Sequence, residues 1–68
     1  MHIGKRIKEI LKQKRYTAVW FAKEINCDRR NVYNIFKRSS IDTELLKRIS
    51  IVLNHDFFKD LSEDCFKL

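Results

Sequence analysis

The stretch from Thr17 to Arg38, TAVWFAKEINCDRRNVYNIFKR, decides the predicted fold. Thr17 can cap a short helix, because its hydroxyl can accept a hydrogen bond from a backbone N–H of the first turn. Asn26 stands where that helix must end, and asparagine tolerates the left-handed conformation that this position often requires. Asp28 can cap a further helix and complement its dipole. The stretch therefore predicts two short helices joined by a tight turn.

Apolar residues at helical spacing would hold these two helices against a core. In the first helix, Phe21, Ala22 and Ile25 fall on one face, and Ala22 is small enough for a close helix crossing. In the second helix, the same spacing predicts a buried stripe of Val32, Ile35 and Phe36. The two helices should thus form a compact corner whose outer side is polar.

The rest of the chain continues the helical pattern. Before the stretch, the spacing predicts a helix whose buried face is Ile3, Ile7, Ile10 and Leu11. After it, Asp42 can cap a fourth helix that ends near Asn54, with Ile41 and Leu46 as a hydrophobic staple. Its inner face would be Leu45, Leu46, Ile49, Val52 and Leu53. A fifth short helix is expected around Phe57, Phe58 and Leu61, followed by a loose C-terminal tail over residues 62–68.

Size and composition point to one small all-α domain over residues 1–68. The chain has 68 residues, no proline and one glycine, so the turn signals of β-hairpins are missing. A chain of this length can bury one small core and has little room for an enclosed catalytic cleft. We therefore expect a compact five-helix fold without enzymatic activity.

Positive charge is concentrated in the first half of the chain. Residues 1–38 carry eleven Lys and Arg and three acidic residues, whereas residues 39–68 carry four Lys and Arg and six acidic residues. The net charge is therefore +8 in the first half and −2 in the second. A polyanion is the natural partner for the first half, because Lys and Arg neutralise phosphates and release counterions.

Several other classes of site are not expected. Cys27 and Cys65 are far apart in sequence, which favours two reduced thiols over a disulfide or a metal site. The side chain of Cys27 is expected to pack as a small apolar group inside the turn between the second and third helices. His2 and His55 lack partners at ligand spacing, so neither a metal nor a cofactor is predicted. No apolar run approaches the roughly 18 residues of a membrane span. A membrane-surface role for the basic first helix is disfavoured because the core needs its apolar stripe.

The stretch, together with SIDTELLKRISIVLN from Ser40 to Asn54, resembles the lambda-repressor-like Cro/repressor-type (XRE) family of helix-turn-helix proteins of bacteria and phages. The resemblance covers roughly residues 3–61 and places the motif at about 17–38. It implies a five-helix domain whose second motif helix, at about 28–38, reads the major groove of DNA. Two positions depart from the family: Asn26 replaces the usual turn glycine, and Ala18 replaces a glutamine that contacts phosphate.

Helix geometry selects the residues that would meet DNA. With Val32 at the centre of the buried face and about 100° per residue, Arg30, Asn34 and Lys37 fall on the opposite side. Arg can bond guanine with two hydrogen bonds and Asn can bond adenine in the same way. The predicted base contacts are therefore Arg29, Arg30 and Asn34. The predicted phosphate contacts are Thr17, Lys23, Tyr33, Lys37 and Arg38, with Thr17 or Lys23 replacing the missing glutamine.

The expected function is sequence-specific binding of double-stranded DNA by a cytoplasmic, nucleoid-associated transcriptional regulator. The alternative is a protein-interaction module or antitoxin-type partner that keeps the fold without independent regulatory DNA binding. Ile51 is expected on the exposed side of the fourth helix. A single exposed isoleucine needs no explanation; the alternative is that Ile51 forms, with Phe57 and Phe58, the surface of a homodimer through the C-terminal half. Composition does not separate repressor, activator and antitoxin.

Overall fold

A computed structural model describes residues 1–67, and over these residues the fold contains five α-helices and no β-strand. The all-α prediction is confirmed. Residue 68, the end of the predicted tail, lies outside the described residues, so the prediction for it stays a prediction. The helices are α1 (Ile3–Gln13), α2 (Ala18–Glu24), α3 (Arg29–Lys37), α4 (Thr43–Leu53) and α5 (Phe57–Cys65).

One core of buried apolar side chains, drawn from all five helices and the turn after α2, holds the fold together. Ile7, Val32, Ile49, Leu53 and Phe57 are fully buried within it. The predicted inner faces of α1, α2 and α4 are confirmed, with Leu45 and Val52 at the half-buried edge. The buried core side chains are Ile3, Ile7, Ile10, Leu11, Phe21, Ala22, Ile25, Val32, Ile35, Leu46, Ile49, Leu53 and Phe57.

Local hydrogen bonds define the beginnings of the helices as predicted. Thr17 Oγ1 accepts from the backbone N–H of Trp20 at 3.0 Å, and Asp28 Oδ1 accepts from that of Asn31 at 3.0 Å. Asp42 Oδ1 caps α4 in the same way, at 2.8 Å. Each of these bonds satisfies a backbone donor that has no partner inside its own helix.

Left-handed residues end three of the helices. Asn26 (φ 58°) and Asn54 (φ 49°) follow α2 and α4 as predicted, and Arg15 (φ 62°) follows α1. After α2, the N–H of Cys27 bonds the carbonyl of Ala22 at 2.9 Å, while the N–H of Asn26 bonds the carbonyl of Lys23. This paired arrangement is the Schellman motif, and it turns the chain directly into α3.

The N-terminus of α1 is joined to the C-terminus of α3 at Gly4. The N–H of Gly4 donates to the carbonyl of Arg38 at 2.9 Å, and the N–H of Ile3 donates to that of Ser39 at 3.2 Å. A Cβ atom at Gly4 would lie 2.5 Å from the carbonyl oxygen of Phe36 and closer still to that of Ile35. The absence of a side chain therefore lets the two backbones meet and fixes α3 relative to α1.

A polar network joins α1 to α5 on another side of the molecule. Asp60 Oδ2 accepts from Arg6 Nε at 3.0 Å and lies 2.6 Å from His55 Nε2, while Arg6 also pairs with Glu9. The pKa of Asp60 lies below its ordinary value of 3.8. Burial is the largest single influence and opposes this shift, but the hydrogen bonds and charges of His55 and Arg6 together outweigh it.

We expect Asp60→Asn to lower the free energy of unfolding at neutral pH by on the order of 1 kcal/mol, the net contribution of a typical intramolecular hydrogen bond. Because the folded-state pKa is the lower one, this contribution is present above the unfolded-state pKa and is lost as the pH falls through the folded-state value. Denaturant unfolding at about pH 7 and about pH 2.5 measures the free energy of unfolding of the variant and of wild type. The difference between the two proteins should be smaller at the acidic pH. Glu63→Gln on the same helix, an exposed acid without an ion pair in residues 1–67, is the matched control. A difference that is independent of pH would contradict the network's role.

Two expectations for the C-terminal half are corrected. The α5 helix continues to Cys65, so residues 62–65 are helical although a loose tail was expected from residue 62. Phe57 is fully buried against the core and cannot contribute to a dimer surface, whereas Ile51 is 77% exposed and Phe58 is 37% exposed. Adjacent helical residues point about 100° apart, so only one of Phe57 and Phe58 can face the centre of the core.

Candidate nucleic-acid interface

The outer side of α3 is a polar, positively charged surface. Arg29, Arg30, Asn34 and Lys37 are all exposed and border one shallow concavity with Tyr33. Val32 and Ile35 on the opposite side of the helix are buried. The structure thus brings together the three predicted base-contacting residues and two of the predicted phosphate-contacting residues. We refer to these five exposed residues as the α3 surface.

The two flanks of α3 face different helices. On one flank, Tyr33, Phe36 and Lys37 border a cleft with α1. On the other flank, Asn31, Asn34 and Arg38 border a concavity that also includes Leu45 and Arg48 of α4. The arrangement agrees with the helical geometry, which places Tyr33 on one side of the exposed line and Arg38 on the other.

No side chain of the α3 surface is bound by another part of the described chain. The ion pairs within residues 1–67 involve the N-terminal ammonium of Met1, α1, α4, α5 and the His55 loop residue, and none involves α3. Among residues 1–67, the acidic residue that borders this concavity is Asp28, whose carboxylate accepts a hydrogen bond from the N–H of Asn31. The cations of α3 are therefore free to bind an external anion.

The position of Arg29 and Arg30 is unfavourable for the helix itself. They are the first two residues of α3, and its first turn contains no acidic residue. A helix N-terminus carries partial positive charge, so a cation there costs about 0.3–1 kcal/mol at an exposed position. Helix stability does not explain these two arginines, whereas binding of an anion would.

The predicted phosphate contacts at the two ends of α2, Thr17 and Lys23, are exposed. Thr17 is the N-cap of α2 and Lys23 lies in its last turn. Neither borders the concavities that flank α3. Next to Thr17, the rings of Tyr16 and Trp20 stack with their centroids 4.0 Å apart, and Trp20 is partly buried against the core.

Two functional candidates on α1 were missed by sequence reasoning. Lys5 and Lys8 border the same cleft as Tyr33 and Lys37, so the positive surface of α3 extends onto α1. The sequence shows that α1 is basic, but the joint at Gly4 decides which of its faces lies beside α3. Only the crossing of the two helices could have identified these lysines.

Arg48 is a further residue of the site that sequence reasoning did not identify. Its Nη2 donates to the carbonyl oxygen of Ile25 at 2.7 Å, where α2 ends. A cation at this end complements the partial negative charge of a helix C-terminus. Arg48 thereby ties α4 to the turn that precedes α3 and stabilises the orientation of the α3 surface.

Cys27 belongs to the turn rather than to a reactive site. Its side chain is half-buried and packs against the core, and burial raises the pKa of its thiol, with the charge of Asp28 adding to the shift. A raised pKa leaves less of the nucleophilic thiolate at neutral pH. Cys27 and Cys65 are both free thiols.

Two other kinds of feature are not found among residues 1–67. No group of three or more His, Cys, Asp and Glu side chains is arranged to hold a metal ion. None of the helices in that part of the chain has the length and apolar character needed to span a bilayer.

Comparison with other proteins adds no assignment. No protein-family model, no curated protein and no solved structure matches the chain. The choice of a function therefore depends on the chemistry of the α3 surface and its neighbours.

Proposed function

We propose that the chain is a transcriptional regulator that binds double-stranded DNA and reads its sequence with α3 in the major groove. In this proposal, α2, the turn at Asn26 and α3 form a helix-turn-helix of the lambda-repressor-like type. The observation that supports it most strongly is the unpaired, exposed line of Arg30, Asn34 and Lys37, with Arg29 at the leading end of the helix.

The dimensions of α3 suit this role. Its nine residues give a length of about 13.5 Å at 1.5 Å per residue. The major groove of B-DNA is about 12 Å wide and admits an α-helix. Guanidinium and amide groups along the exposed side can then form paired hydrogen bonds with guanine and adenine.

Selection of bound sequences from a random duplex pool, followed by salt titration on the enriched site, tests the proposal. We expect a defined sequence to be enriched, and its binding constant to fall on a log–log plot with a slope of about −0.9 per neutralised phosphate. Two half-sites roughly one helical turn apart would indicate binding as a dimer. No enrichment, or binding that is independent of salt, would contradict the proposal.

A protein-interaction module with the same fold is the second candidate. The observation on its side is the 77% exposed side chain of Ile51, an apolar group that a partner protein or a second copy of the chain would cover. The same selection separates the two candidates, since an interaction module without DNA binding would enrich no sequence.

A further inference from the structure

We infer that Lys5 and Lys8 of α1 bind the phosphate backbone along one wall of the groove that receives α3. This inference rests on the proposed function and adds a second helix to the DNA-binding surface. The cleft between α1 and α3 is bordered by Lys5, Lys8, Tyr33 and Lys37. Three lysines and a tyrosine, together with His2 and Phe36, therefore border one depression in the surface.

The ion pairs of α1 divide its cations into two sets. Arg6 is engaged by Asp60 and by Glu9. Lys5, Lys8 and Lys12 form no ion pair with any residue in 1–67, and of these three Lys5 and Lys8 border the cleft with α3. The charge on the α5 side of α1 is thus neutralised within the protein, while the charge on the α3 side is available to an external anion.

The location of Lys5 is unfavourable for α1 taken alone. Lys5 is the third residue of the helix, and the first turn of α1 contains no acidic residue. A cation there opposes the partial positive charge of the helix N-terminus. As with Arg29 and Arg30 on α3, helix stability gives no reason for the charge.

The dimensions of the DNA major groove indicate that the phosphate backbone occupies the cleft between α1 and α3. A helix with its side chains is about 10–12 Å across and fills a major groove about 12 Å wide. Groups beside such a helix therefore meet the sugar–phosphate strands and not the base edges. The flank of α3 that carries Tyr33 and Lys37 faces α1, so Lys5 and Lys8 would contact the strand on that flank.

The backbone hydrogen bond between α1 and α3 at Gly4 holds Lys5 and Lys8 beside α3. The N–H of Gly4 bonds the carbonyl of Arg38 at 2.9 Å, and Lys5 is the next residue. The N–H of Lys5 in turn bonds Nδ1 of the N-cap His2 at 3.1 Å. The backbone of Lys5 is therefore fixed relative to α3, and only its side chain must be ordered on binding.

The test compares Lys5→Gln/Lys8→Gln with wild type on the duplex that the wild-type protein selects. We expect the double variant to bind at least about tenfold more weakly at about 0.1 M salt, with a log–log salt slope smaller by up to about 1.8. Its ranking of operator variants should not change, because phosphate contacts carry no sequence information. Its melting temperature should equal or exceed that of wild type, since a cation leaves the helix N-terminus.

Two matched variants make the result specific. Lys47→Gln/Lys59→Gln removes the same charge from residues that border none of the concavities beside α3, and it should change affinity far less. Lys5→Arg/Lys8→Arg keeps the charge and should retain the salt slope. If the wild-type protein binds but the glutamine variant keeps its affinity and slope, the inference is wrong and the proposed function stands. If the wild-type protein binds no duplex, both are wrong.

Discussion

Arg30→Ala and Asn34→Ala are each expected to weaken binding to the preferred duplex by about 1–3 kcal/mol and to relax the choice of base at one position. That range corresponds to roughly 5- to 150-fold in Kd. Both side chains lie on the exposed line of α3 and have no intramolecular hydrogen bond or ion pair within residues 1–67, so their removal should leave the fold intact. Competition binding against a panel of single-base operator variants measures both effects.

Lys37→Ala is the internal control on the same helix. An ammonium group on the flank beside α1 is expected to meet phosphate, so its loss should weaken all sequences alike and reduce the salt slope by about 1. Arg30→Lys sharpens the test, because lysine keeps the charge but cannot form the two parallel hydrogen bonds of a guanidinium. If Arg30→Ala and Asn34→Ala both keep the sequence preference of wild type, the α3 surface is not the surface that reads DNA.

The sequence predicted the features that depend on neighbours along the chain. Five helices follow from apolar residues at a spacing near 3.6, and Thr17, Asp28 and Asp42 cap helices through bonds that span three residues. Asn26 and Asn54 were identifiable because asparagine tolerates positive φ. The exposed line on α3 follows from the same periodicity once its buried stripe is known.

Features that depend on contacts between distant segments were not predictable in this way. Arg15 adopts a left-handed conformation although arginine has no side-chain preference for it, and the turn after α1 imposes it. Arg48 reaches the carbonyl of Ile25 across 23 residues of sequence. Lys5 and Tyr33 border the same cleft only because α1 and α3 meet at Gly4.

Phe57 shows the limit of periodicity in a short helix. A nine-residue helix with Phe57, Phe58 and Leu61 has apolar residues over a wide arc, so the pattern does not determine which ring is central. Packing resolves it, with Phe57 fully buried and Phe58 at the edge. A dimer surface in this half would therefore have to use residues such as Ile51 and Phe58.

Gly4→Ala is expected to destabilise the protein by at least about 2 kcal/mol, the upper range for overpacking in a core. Helix propensity alone predicts the opposite sign, because alanine in a helix is favoured over glycine by about 1 kcal/mol. Steric overlap should outweigh helix propensity at this position, because the added methyl group would lie 2.5 Å and 2.6 Å from the carbonyl oxygens of Phe36 and Arg38. Backbone atoms cannot rotate away as a flexible side chain can, so α1 and α3 would have to separate.

Such a loss is a large share of the roughly 3–10 kcal/mol expected for a domain of this size. Urea denaturation of Gly4→Ala measures it, with Lys12→Ala at an exposed position of α1 as the control for helix propensity. The control should be close to neutral. If Gly4→Ala proves as stable as wild type, the two helices do not meet at this position. The arrangement that places Lys5 and Lys8 beside the α3 surface would then be lost with it, because the same hydrogen bond from Gly4 to Arg38 fixes both.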